Sequence, residues 1–136
     1  MSLIDIFNIA GSGMSAQSVR LNTTASNLAN AQNVAGSPDA VYKPKHPVFQ
    51  TFLDQFDREG SAGVRVTGIF ESQAPARMQY APDNPLADEK GYVFLPAVNV
   101  MAEMANMMSA SRSFENNVKV INTVKQLLIR TIQMGQ

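Results

Sequence analysis

Ile4-Asp5-Ile6-Phe7-Asn8-Ile9-Ala10-Gly11-Ser12-Gly13-Met14-Ser15-Ala16-Gln17-Ser18-Val19-Arg20-Leu21-Asn22-Thr23-Thr24-Ala25-Ser26-Asn27-Leu28 decides the fold of this 136-residue chain. Within it Ile4, Phe7, Gly11, Met14, Ser18, Leu21, Ala25 and Leu28 alternate three and four apart, which puts them on one face of a helix. The members are either large and apolar or very small. Gly11, Ser18 and Ala25 let a neighbouring helix come close, while Phe7, Met14, Leu21 and Leu28 fill the space between. The stripe therefore predicts a helix shaped for a helix partner.

At the far end Met104, Met107, Ser111, Phe114, Val118, Ile121, Leu128 and Ile132 repeat the spacing, with Lys125 as the one charged member of the series. Two helices of about 30 residues each would run about 45 Å at 1.5 Å per residue, long for so small a protein. Residues from about 35 to 98 hold all seven prolines and most of the glycines, so neither helix can continue through them. Gly63–Phe70 and Arg77–Tyr80 read as short strands, because β-branched and aromatic residues lie between Gly and Pro punctuation. Val48, Phe49, Phe52, Leu53 and Phe56 suit either an amphipathic helical turn or an edge strand. Ser61-Ala62-Gly63, following Asp57-Arg58-Glu59-Gly60, reads as a mobile loop.

The expected fold is α+β: long N- and C-terminal helices pairing as an antiparallel coiled coil, with a small β- and loop-rich insert between them. The expected divisions are 1–34 for the first helix, 35–98 for the insert and 99–136 for the second helix.

Composition narrows the function classes. The apolar fraction of 45% suits one modest folded domain, and 11 basic residues balance 11 acidic ones, so net charge offers nothing to a polyanion such as nucleic acid. No run approaches the roughly 18 apolar residues of a membrane-spanning helix, and the start lacks the basic and long apolar regions of a cleavable signal. Cysteine is absent, which suits a cytosolic protein or one exported unfolded.

The most telling feature is missing charge. In the first 34 residues only Asp5 and Arg20 ionise, yet Ser, Thr, Asn and Gln make the segment too polar to face lipid. A solvated helix normally carries several charges on its outer face. Uncharged hydrogen-bonding groups nearly all round predict burial against protein on several sides. Each large side chain buried in such a seam contributes roughly 1.5 to 3 kcal/mol, whereas an isolated helix rich in Asn, Thr and Gly is poorly favoured. The termini are expected to find order through assembly.

Ser12 to Asn22, continued by Ala25-Ser26-Asn27-Leu28-Ala29-Asn30-Ala31, closely resembles the N-terminal signature of the flagellar rod and hook axial proteins. Glu103 to Val118, followed by Asn122-Thr123-Val124-Lys125-Gln126, resembles its C-terminal counterpart. In a chain this short, Tyr42 to Phe49 and Pro82 to Val93 are similar to the proximal rod members of that family. The resemblance implies a non-catalytic structural subunit, exported through the flagellar type III apparatus with an uncleaved signal and assembled in the periplasm into the basal-body rod. It implies further copies of itself, FlgB, FlgF and FliE as partners, with the MS ring below. It also implies terminal helices that line the axial channel while the insert faces outward. The alternative reading is a type III secreted effector or adhesin that borrows the export signal.

Sharper chemical readings find little support. Gly11-Ser12-Gly13-Met14-Ser15-Ala16 matches a dinucleotide fingerprint, but no βαβ unit surrounds it and only Asp39 could serve as the later acidic residue. Met101, Met104, Met107 and Met108 could be soft thioether ligands, though packing is the commoner use of methionine. His46 is the single histidine, so no multi-histidine metal site forms, and its Pro and Lys neighbours suggest a loop. Asp83, Asp88 and Glu89 lack the cleft that paired-carboxylate chemistry requires and read as turn residues. Asn22-Thr23-Thr24 fits a glycosylation pattern by chance. Catalytic residues, metal and cofactor are therefore expected to be absent.

Overall fold

The structure, a computed structural model, describes residues 3–53 and 62–135. It is α+β, with two long helices and two small antiparallel sheets between them. Helix α1 spans Leu3–Asn30, and helix α2 spans Val100–Met134. Asn99 starts α2 by accepting a hydrogen bond on Oδ1 from the Ala102 N–H at 3.1 Å, which satisfies one of the donors a helix leaves open. Glu103 in its first turn suits the positive end of the helix dipole.

The two helices pack against each other in opposite directions. Arg20 Nη2 donates to Asn106 Oδ1 at 2.9 Å, and a Cβ on Gly13 would come within 2.8 Å of the Asn117 side chain. Moving forward on α1 therefore means moving backward on α2. Gly13, and not Gly11, is where the second helix comes close; a Cβ on Gly11 would meet nothing within 4 Å.

The insert holds β1 (Lys45–Leu53), β2 (Ala62–Glu71), β3 (Arg77–Tyr80) and β4 (Tyr92–Leu95). β1 pairs with β2 from Lys45↔Glu71 to Leu53↔Ala62, and the register slips between Val48 and Phe49 so that Thr67 is the extra residue of a bulge. Val48, Phe49, Phe52 and Leu53 thus lie in a strand, resolving the open alternative, while Phe56 lies outside the described residues. Ala62 and Gly63 belong to β2, correcting the loop expected there; the Asp57–Ser61 part of that loop lies outside the described residues. His46 is likewise an exposed strand residue rather than a loop residue.

β4 was not anticipated from the sequence. It pairs with β3, and Phe94 exchanges two 2.9 Å backbone hydrogen bonds with Ala35, just beyond α1. Gly91 turns the chain into β4 with φ +79, and a Cβ there would lie 2.9 Å from Tyr80 Cε2. Both the backbone conformation and the close ring require glycine. Asp88 Oδ1 accepts from the Lys90 and Tyr92 N–H groups at 2.9 and 2.8 Å, so this carboxylate builds the turn.

The buried apolar residues near this junction are Ala31, Val41, Val93, Phe94 and Val98. Along the helix pair, the buried apolar residues are small or modest: Ala10, Ala16, Ala110 and Val124.

Candidate assembly surface

Many large apolar side chains of the two helices are open to solvent. Ile4 is 63% exposed, Met101 75%, Ile132 65% and Met134 81%. Phe7, Met104, Met108, Leu127 and Ile129 are also exposed. Monomeric proteins tolerate scattered exposed apolar residues, but this helix pair buries alanine and threonine while leaving a phenylalanine and several isoleucines and methionines open.

Each member of the sequence-derived stripes can now be placed. On α1, Ile4, Phe7, Ser18 and Ala25 are exposed, whereas Gly11, Met14, Leu21 and Leu28 are half-buried. On α2, Met104 and Ile132 are exposed, while Met107, Ser111, Phe114, Val118, Ile121 and Leu128 are half-buried. The α1 side that meets α2 includes Gly13 and Arg20, each one residue before Met14 and Leu21 of the stripe. One residue is about 100° of rotation, so the stripe borders the internal contact and extends around to the open side. The two residues buried most deeply on α2 toward its ends, Glu103 and Val124, likewise precede Met104 and Lys125.

Polar groups, which composition could not assign, hold the parts together. Asn27 is 0% exposed. Its Nδ2 donates to the Lys45 carbonyl at 2.9 Å, and its Oδ1 accepts from the Lys45 N–H at 2.8 Å and from the Tyr42 hydroxyl at 2.9 Å. Tyr42 Oη also lies 3.0 Å from Ser26 Oγ. Ser12 Oγ donates to the Ile9 carbonyl at 2.8 Å and accepts from the Val64 N–H at 3.2 Å. Arg20, one of two ionisable groups early in the chain, is engaged with α2 rather than aimed outward. Gln17 Oε1 is a buried acceptor with no hydrogen-bond partner among the described residues.

Reading by periodicity could find the apolar stripes, but it missed Asn27 and Ser12, because a polar residue on a helix announces no partner. The available signal was the scarcity of charge around them.

No group of three or more His, Cys, Asp or Glu side chains that could hold a metal occurs among the described residues, and no helix of the structure is long and apolar enough to cross a membrane. Shallow depressions border Arg77 and the start of α2, and another lies along Met107, Met108, Ser111, Arg112 and Glu115.

Residues 7–36 match the family described as flagella basal body rod protein, and residues 89–134 match the C-terminal region of the flagellar basal body rod FlgEFG proteins. The flagellar basal-body rod protein FlgC of Salmonella typhimurium is 50% identical over 136 residues, covering 100% of both chains. The FlgC protein of Escherichia coli O157:H7 is 51% identical with the same coverage, and that of Buchnera aphidicola subsp. Schizaphis graminum is 41% identical, again over 100% of both chains. With signature segments at both ends and full-length similarity between them, the chain belongs to the FlgC family of flagellar basal-body rod proteins.

Proposed function

We propose that this chain is a structural subunit of the proximal rod of the bacterial flagellar basal body and that its function is carried by shape. Rod family members are structural proteins that assemble with other rod components, and the chain is not an enzyme. The observation that carries the reading is the exposed apolar surface on the outside of the helix pair, with Ile4 63% and Ile132 65% exposed. Covering such side chains with neighbouring subunits contributes roughly 1.5 to 3 kcal/mol for each one fully buried, repeated along the polymer.

In the assembled rod the two helices pair as an antiparallel coiled coil around the axial channel, and the insert faces outward. Further copies of the chain, FlgB, FlgF and FliE are the proposed neighbours. The absence of cysteine suits export of an unfolded chain by the flagellar type III route, since a threaded substrate has nothing to cross-link.

The test is replacement. A Salmonella strain lacking its own FlgC is expected to swim when supplied with this chain, and purified basal bodies are expected to contain it. Secretion of the chain into the medium with none retained in basal bodies would overturn the assignment.

A further inference from the structure

We propose that Ser12 and Asn27 are positioning residues that clamp the β1–β2 hairpin along α1 at two points, so that helix and hairpin enter the rod as one rigid piece. The anchors are 15 positions apart on α1, or about 22 Å. On the hairpin they hold Lys45, at its base, and Val64, which pairs with Thr51 six positions further along β1, or about 20 Å. The two lengths agree, and the hairpin runs back along the helix from Asn27 toward Ser12. Ala16 and Thr23 lie on the same row between the anchors and are 3% and 6% exposed, with Val19 between them half-buried.

Each anchor suits its task. A strand residue sends its N–H and C=O toward the same edge, and the Asn27 carboxamide offers one acceptor and one donor to meet both groups of Lys45. Asn27 thus stands in for a neighbouring strand. Because it is fully enclosed, it has no surface to offer another subunit. Ser12 reaches Val64 with a hydroxyl that also keeps its own helical bond to Ile9. A two-stranded hairpin is marginal by itself, and this one exposes Val48, Phe52 and Phe70. Fixing it at both ends sets where those side chains stand relative to the stripe on the helices. The consequence for assembly presupposes the rod role proposed above, whereas the clamp itself does not.

Hydrogen exchange on the full chain reads each anchor separately. Ser12→Ala is expected to speed exchange of the Val64 amide roughly tenfold while leaving Lys45 protected, and Asn27→Ala to do the reverse. Alanine favours helix over serine, so loss of the Val64 bond would not reflect a melted α1. Tyr42→Phe, which removes one hydroxyl, should loosen Lys45 less than Asn27→Ala, and Ser12→Thr should restore Val64. In cells dependent on the chain, the double variant should be exported but at least tenfold depleted from basal bodies. Protection of both amides in the single variants would overturn the clamp, as would normal incorporation of a double variant whose two amides exchange freely. Absence of the unaltered chain from basal bodies would remove the rod role but leave the exchange result to decide the clamp.

Discussion

Three glycines separate three physical situations. Gly91 has φ +79 and a tyrosine ring 2.9 Å from where a Cβ would stand, so Gly91→Ala should destabilise the chain by about 1 to 2 kcal/mol in chemical denaturation. Gly11 has open space around it in the single chain, so Gly11→Ala should stabilise the isolated protein by up to about 1 kcal/mol through helix propensity alone. Gly13 lies between: alanine gains the same propensity but must displace the Asn117 side chain, and Gly13→Val should lose stability. The three-four series in the sequence names Gly11, together with Ser18 and Ala25, as residues that let a neighbouring helix come close. Distinguishing Gly11 from Gly13 needed the angle between the helices, which no spacing supplies. Asn27→Ala strands both backbone groups of Lys45 and takes from the Tyr42 hydroxyl one of its two partners, Ser26 remaining, a loss on the order of 3 kcal/mol measurable by the same denaturation.

At the scale of elements, the helices were legible because Pro and Gly confine their ends and periodicity marks their faces. β2 and β3 were legible from β-branched runs between punctuating residues. β1 was ambiguous since its apolar residues occupy both faces, erasing the alternation that identifies a half-buried strand. β4 escaped because four residues before Pro96 carry little local signal, and its order comes from pairing with β3 and Ala35. The exposed stripe supports a prediction that separates folding from assembly. Phe7→Asp and Ile132→Asp alter side chains that are 44% and 65% exposed in the single chain. Ile132→Asp should change thermal stability by less than about 0.5 kcal/mol and Phe7→Asp by about 1 to 2 kcal/mol, yet both should deplete basal bodies of the chain while export continues. Removing Thr131 to Gln136 should likewise stop motility if the end of α2 builds the polymer.

For the whole molecule, the balance of inside and outside is the unusual quantity. The largest fully buried side chains are Val93, Asn27 and Pro96, while several phenylalanines, isoleucines and methionines remain open to solvent. A chain folded for solitary existence would place the larger groups within. Net neutrality and the near absence of charge on α1 remove the repulsion that keeps most soluble surfaces apart. The central claim is that neighbouring rod subunits cover this surface. Its most direct test is peroxide footprinting of Met101, Met104, Met108 and Met134, with sulfoxide quantified by mass spectrometry in the isolated chain and in purified basal bodies. Ready oxidation of the isolated chain and several-fold protection in the basal body are expected; equal oxidation of all four methionines in both would contradict the account.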